Sequence, residues 1–304
     1  MLRAGGLVAF PTETVYGLGV DAFDPAAVAR AFAAKGRPAD NPLIVHLADA
    51  GELPRVVASI TPLARRLAAT FWPGPLTLVL AAVDTVPPAT TGGLTTVAVR
   101  VPDHPVAAAL LTLADLPVAA PSANRSGRPS PTTAEHVAAD LGTEVDVILD
   151  GGPCPVGVES TVVDARGERP VVLREGTITR EDLGLRADGS EPGPAADVAA
   201  SPGTRYRHYA PRCGVELAPA GGGPAHARRL VATGARVGLV AADPAPAGVV
   251  PIATVRDVPQ LAQRLYAALR DAELAAVDVL VVESVPEVGL GRAVMDRLRR
   301  AAGG

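Results

Sequence analysis

Short apolar runs rich in β-branched residues alternate with longer stretches in which Ala, Leu and Arg recur every three or four positions. Through residue 186 the short runs fall at 7–10, 44–47, 76–80, 96–101, 118–120, 147–149, 161–163 and 171–173, and each predicts a strand. Helices are announced by their starts. An amphipathic stretch covers 25–34, Thr61-Pro62 offers an N-cap followed by Pro at the first helical position, and Thr132 with Glu135 forms a capping box that opens 133–141. Strands outnumber helices, and several strand-to-strand connections are too short for a crossover helix. The pattern therefore predicts an α/β domain with α+β character and a mixed sheet.

The pattern breaks over 186–200, where Pro, Gly and small polar residues give the composition of a linker. Beyond it, runs at 215–217, 237–240 and 279–282 predict buried strands, and 225–233, 258–272 and 291–302 predict helices, with Asp257 and Gln260 capping the middle one. Strand-helix alternation predicts a smaller Rossmann-like α/β domain. The division expected is a first domain at 1–186, a linking segment at 187–212 and a C-terminal domain at 213–304.

Composition narrows the function classes. The chain has 304 residues, 48% hydrophobic and 20% charged, enough to bury real cores, and its apolar runs are too broken by 31 Gly and 30 Pro to form a membrane span. The stretch before the first strand is too short for a signal peptide, and Cys154 and Cys213 lack metal-ligand spacing, so a reducing cytoplasm is the expected location. A net charge of -4 and few aromatic residues argue against stable nucleic-acid binding. Of the 28 Lys and Arg residues, Lys35 alone is lysine, which suggests a place where a compact ammonium is needed instead of a planar fork.

Several motifs carry chemistry. Gly17-Leu18-Gly19-Val20-Asp21-Ala22 imitates a dinucleotide turn, but a Pro-rich turn separates it from the preceding strand; its glycines instead predict a loop allowing close backbone approach around Thr12, Glu13, Thr14 and Tyr16. Lys35-Gly36-Arg37-Pro38 continues to Asn41-Pro42, holding two cations on an extended loop; they either complement the preceding helix dipole or receive phosphate. In 95–101, Thr96, Ala98 and Arg100 share one strand face, so Arg100 needs an acceptor: a buried carboxylate of the chain or the carboxylate of a ligand. Ser122 and Asn124 follow directly on a strand, at the usual mouth of α/β sites, and Ser160 stands at a strand entrance. No His/Cys cluster, nucleophile elbow or close carboxylate pair is legible. Chemistry by positioning and electrostatics is what remains.

Taken in order, Pro11-Thr12-Glu13-Thr14-Val15-Tyr16-Gly17-Leu18-Gly19, Lys35-Gly36-Arg37-Pro38, Asn41 to His46, Phe71 to Thr77, Val97 to Pro105, Pro121 to Gly127, Gly157 to Asp164, Ser201 to Pro211 and Gly289 to Leu298 make the chain resemble the YrdC-like family of threonylcarbamoyl-AMP synthases in its two-domain form. The resemblance implies a twisted open mixed sheet with a central cavity, followed by a smaller Rossmann-like domain. It implies condensation of L-threonine, bicarbonate and ATP, with Mg²⁺, into threonylcarbamoyl-AMP and pyrophosphate. A tRNA threonylcarbamoyl transferase would then take the product.

By the same resemblance, Lys35, Arg37, Ser122 and Asn124 form the catalytic set. ATP would meet Arg37, Asn41, Thr96, Asn124, Ser130 and Arg174, and threonine would meet Thr14, His46, Arg100, Ser122 and Ser160. Arg205, Tyr206 and His208, crowded into a segment that a plain linker would not need, would reach the nucleotide as part of a lid. Glu175 stands where the family often has Pro and Asp296 where Asn is common, and most of the helix that usually precedes the first strand is lacking. Two other functions remain open on the residues alone: a carbamoyl-adenylate-forming enzyme, and a non-catalytic RNA-binding or ribosome-associated protein.

Overall fold

The computed structural model describes residues 1–38, 41–186 and 209–303, which fall into two compact units. The first comprises Met1–Ser126, Pro131–Pro155 and the described part of Glu159–Tyr206; the second comprises Gly127–Ser130, Val156–Val158 and the described part of Arg207–Gly304. Two short stretches thus group with the second unit although the chain on either side of each belongs to the first. Most of the expected linking segment, 187–208, lies outside the described residues, and with it Arg205, Tyr206 and His208. Among the described residues no helix is long and apolar enough to cross a membrane.

The first unit is built on nine strands: β1 (Val8–Phe10), β2 (Gly17–Asp21), β3 (Ile44–His46), β4 (Leu76–Ala81), β5 (Thr96–Arg100), β6 (Val118–Ala119), β7 (Val147–Ile148), β8 (Thr161–Asp164) and β9 (Val171–Arg174). They form one sheet in the order β7-β1-β2-β6-β3-β5-β4-β8-β9. Neighbours are parallel at β7/β1, β3/β5 and β4/β8 and antiparallel elsewhere, the mixed sheet that short connections predict. Helices α1 (Pro25–Lys35), α2 (Pro62–Phe71), α3 (Pro88–Thr91), α4 (Pro105–Ala114) and α5 (Ala134–Leu141) lie between strands. Each of the first four begins with Pro, whose missing N–H costs nothing in the first turn. Asp24 caps α1 and Thr61 caps α2, the latter accepting from Ala64 N at 3.0 Å. Leu18, Val45, Leu76, Leu78 and Val99 pack with Val28 and Leu67 into the main core.

Two expectations need correction here. Residues 17–21 are a strand, β2, not a loop, because the glycines serve packing: a Cβ on Gly19 would stand 2.9 Å from both Phe10 Cε1 and Val118 Cγ1. Antiparallel pairing of β2 with β1 needs that room. The cap of α5 is Thr133, whose Oγ1 accepts from His136 N at 3.3 Å, one residue later than the capping box placed it.

The second unit holds β10 (Gly214–Ala218), β11 (Val237–Ala241), β12 (Val250–Thr254) and β13 (Val279–Glu283), with α6 (Gly223–Val231), α7 (Val258–Leu274) and α8 (Leu290–Ala302). The sheet runs β10-β13-β11-β12 with every pair parallel, as strand-helix alternation predicts. Sequence pattern missed β12 because it contains Pro251, tolerated here at the sheet edge. Tyr209 stacks on Tyr266 with ring centroids 5.3 Å apart and lies under the Arg297 guanidinium.

At the carboxyl end of this sheet, Glu283 accepts from Gly223 N at the start of α6 (2.9 Å) and from Ala242 N just after β11 (3.2 Å). One N–H of the first turn of α6 is thereby satisfied by a carboxylate of the chain itself. Replacing Glu283 with Ala removes a charged acceptor from two backbone donors, so denaturant unfolding of Glu283→Ala is expected to show a loss of about 1–3 kcal/mol. An unchanged midpoint would mean that water serves both donors equally well.

Candidate active site

Thr12 organises the turn between β1 and β2. Its Oγ1 accepts from Thr14 N and Val15 N, each at 3.2 Å, and donates to Val15 O at 2.7 Å. That spends its only proton. In the 2.8 Å contact between Thr12 Oγ1 and Thr14 Oγ1 the donor is therefore Thr14, which leaves Thr14 to accept from Arg100 Nη1 at 2.9 Å. Arg100, 3% exposed at the end of β5, also donates from Nε to Gly74 O at 3.2 Å. The acceptor that its strand face requires is present within the chain: Glu13 Oε1 lies 2.7 Å from Arg100 Nη2, both side chains being buried.

His46 on β3 is in register with Arg100 across the parallel β3/β5 pair. Burial, reinforced by the Arg100 charge, pushes the His46 imidazole down to about 3. It is neutral near pH 7, with Phe10 edge-on at 5.9 Å. The Cys154 thiol, close to Thr12 and Glu13, is pushed up to about 12, chiefly by burial.

A second cluster forms around Lys35, the last residue of α1. Gly36 follows with φ of 60°, a left-handed cap that turns the chain out of the helix. The Lys35 Nζ donates to Ser122 O at 2.5 Å and to Asn124 O, and lies 3.4 Å from Asn124 Oδ1. Ser122 Oγ donates to the same Oδ1 at 2.6 Å, and Ser126 N donates to Lys35 O at 2.8 Å. Three acceptors around one nitrogen suit an ammonium and not a planar guanidinium, which gives the chain's single lysine a reason at this place. Burial, then the Arg37 charge, pushes Lys35 well below its usual range, with Asp140 opposing. Arg37 donates to Pro42 O at 3.1 Å and lies over the Phe32 ring, while the neighbouring residues 39–40 lie outside the described residues.

The third cluster joins Ser160 at the entrance of β8 to Thr77 of β4 (2.8 Å between hydroxyls) and to Arg174 of β9. Arg174 Nη2 donates to Ser160 O at 2.9 Å and to Oγ at 3.2 Å. Gly176 permits this approach: a Cβ there would stand 2.3 Å from Thr161 N. Backbone bonds tie the clusters together, with Ala123 N donating to Tyr16 O at 2.8 Å and Thr161 N to Pro75 O at 3.0 Å, beside the Gly74 that Arg100 holds.

Most of the expected residues therefore share one region of the first unit: Thr14, His46, Arg100, Lys35, Ser122, Asn124, Ser160 and Arg174. Thr96 and Asn41 are buried in the same unit, and Ser130 groups with the second. Glu13 and Thr77 were given no role by sequence reasoning. The signal for Glu13 was available, a carboxylate between two threonines in a run ahead of buried strands; nothing marks Thr77. Among the described residues no group of three or more His, Cys, Asp or Glu side chains is placed to hold a metal ion. An apolar groove of about 710 Å³, lined by residues such as Leu2, Val106, Leu110 and Leu149, shares no residue with the polar clusters.

Two outcomes follow from this geometry. Lys35→Arg is expected to lower kcat/KM by at least about tenfold and to speed hydrogen exchange at Ser126, because the loop loses its point-charge anchor; slow exchange retained in the variant would contradict the anchoring role. For His46, the folded value near 3 lies below the unfolded value of about 6.5, so the unfolded chain takes up the proton first, and the stability held above about 6.5 is lost as pH falls toward 3. Between about pH 7 and about pH 5 the wild type is expected to lose about 2 kcal/mol more than His46→Gln in denaturant titrations. Equal losses would show that the imidazole is not held neutral.

Comparison with known proteins identifies the family. A family model described as "Telomere recombination" matches residues 1–176, and one described as "Threonylcarbamoyl-AMP synthase, C-terminal domain" matches 174–303. A threonylcarbamoyl-AMP synthase of Pyrococcus abyssi is 46% identical over 99% of this chain and 92% of its own length; that of Bacillus subtilis is 44% identical over 100% and 91%. The crystal structure of P. abyssi Sua5 complexed with L-threonine superposes with a TM-score of 0.91 at 45% identity, covering 99% of this chain and 92% of that one. Matched along both units at such identities, the chain belongs to the threonylcarbamoyl-AMP synthase family.

Proposed function

We propose that the chain condenses L-threonine, bicarbonate and ATP into threonylcarbamoyl-AMP and pyrophosphate. The observation that carries this reading is the likeness along 99% of the chain to a protein crystallised with L-threonine. Within the chain, the buried Arg100 fork, backed by Thr14 and Gly74, is suited to an amino-acid carboxylate.

The amine of threonine, once its ammonium has given up a proton to solvent, condenses with bicarbonate to the carbamate with loss of water. The carbamate is an anionic oxygen nucleophile, and its attack on the α-phosphorus displaces pyrophosphate. What the protein supplies is orientation and positive charge against the repulsion between two anions. Arg37 and Arg174 are the cations proposed for the nucleotide, with Asn41, Thr96 and Asn124 as polar partners; Ser122, Ser160 and His46 join Thr14 and Arg100 toward threonine. Lys35 holds the loop that carries Ser122 and Asn124. Mg²⁺ enters as part of the substrate, bound to the ATP phosphates. The setting proposed is the cytoplasm, where a tRNA threonylcarbamoyl transferase consumes the product.

Pyrophosphate release is expected only when threonine, bicarbonate, ATP and Mg²⁺ are all present. Release supported by carbamoyl phosphate without threonine would overturn the reading. Arg100→Leu is expected to raise the KM for threonine by at least about tenfold and that for ATP much less; equal effects on both would make Arg100 a structural ion-pair partner only.

A further inference from the structure

Buried polar atoms in folded proteins almost always have hydrogen-bond partners, so a knot of unsatisfied ones points to a ligand. Here Glu13 Oε1 and Oε2, Arg100 Nη2 and His46 Nδ1 are buried and make no aligned hydrogen bond. They belong to one cluster: Glu13 lies against Arg100, and Arg100 is in register with His46. Glu13 Oε1 and Arg100 Nη2 form an ion pair at 2.7 Å, and the second carboxylate oxygen, Oε2, is buried with no hydrogen-bond partner.

The charge of the cluster is equally specific. Arg100 supplies a guanidinium and Glu13 a carboxylate, paired at 2.7 Å. The neighbouring titratable groups add nothing near pH 7: His46 stays neutral, the Cys154 thiol stays protonated, and burial lowers His104, which caps α4 and feels the Glu13 charge. A cation and an anion side by side, each with unspent hydrogen-bonding capacity, complement a ligand that carries one charge of each sign on adjacent atoms. An α-amino acid is such a ligand, with carboxylate and ammonium on the same carbon.

We propose that the Glu13 carboxylate receives the α-ammonium of the amino-acid substrate while Arg100 holds its carboxylate. The inference rests on the functional reading above and adds a binding residue to it. Glu13 then has two roles that burial alone would not combine. Before substrate arrives it neutralises Arg100, and when substrate is bound it places the nitrogen that will carry the carbamate. The zwitterion brings one charge of each sign, so binding it leaves the buried charge of the site balanced.

The test compares two ligands on two proteins by calorimetric titration. L-threonine carries the ammonium; 2,3-dihydroxybutyrate has a hydroxyl in its place. The wild type is expected to prefer threonine by at least about tenfold, and Glu13→Gln to reduce that preference to within about threefold. If Glu13→Gln weakens both ligands by one common factor, Glu13 acts only by positioning Arg100 and the proposal falls. It falls as well if the variant keeps the wild-type preference. Should the variant not fold, thermal shifts of the wild type decide: equal stabilisation by the two ligands overturns the proposal, and stabilisation by threonine alone upholds it. A wild type that binds no threonine overturns the functional reading itself and this inference with it.

Discussion

Arg100 carries a charge into the interior of a nine-stranded sheet, and the first unit is arranged to keep it there. An isolated guanidinium at that depth would cost several kcal/mol in lost hydration. Gly74 and Thr14 each give it a hydrogen bond and Glu13 gives it a countercharge. Those three contacts come from the approach to β4, which pairs antiparallel with β5, and from the turn between β1 and β2. The Thr12 hydroxyl fixes the turn tightly enough that Thr14 can face the guanidinium. Sequence order is therefore less informative here than the demand of one buried cation for acceptors.

That demand explains what was and was not legible along the chain. Strand runs such as 76–80 and 96–101 lie on β4 and β5 because period-two burial leaves a clear imprint on sequence. The caps Thr61 and Asp257 act where short-range chemistry places them. Gly17 and Gly19 misled because glycine is open to two readings: it permits a turn, and it also makes room for a ring. Only the partner, Phe10, decides between them. Glu13 was visible as a carboxylate but not as the mate of Arg100, since the two are 87 positions apart and nothing in local pattern pairs them. For Lys35 the sequence showed that the residue was singular; the three oxygens that make it so come from a distant loop.

The polar clusters also divide labour in a way suited to electrostatic catalysis. Lys35 spends its donors on the loop of Ser122 and Asn124, and Arg174 spends donors on the strand entrance at Ser160. Cations that grip backbone hold the hydroxyl and amide groups still, and a fixed dipole stabilises developing charge without paying reorganisation at the moment of reaction. Rigidity of this kind must be built before substrate arrives. Buried hydrogen bonds to main-chain oxygens are a direct means of building it.

Glu283 has a consequence for the second unit. A parallel sheet with crossover helices offers the N-terminus of a helix as a natural receptor for phosphate, and α6 begins at such a place. The carboxylate seated there is covalently part of the chain, so its local concentration at those N–H groups far exceeds that of an anion free in solution. The Glu283 carboxylate thereby braces β13 to the start of α6 and to the segment just after β11, a tether within one covalent chain.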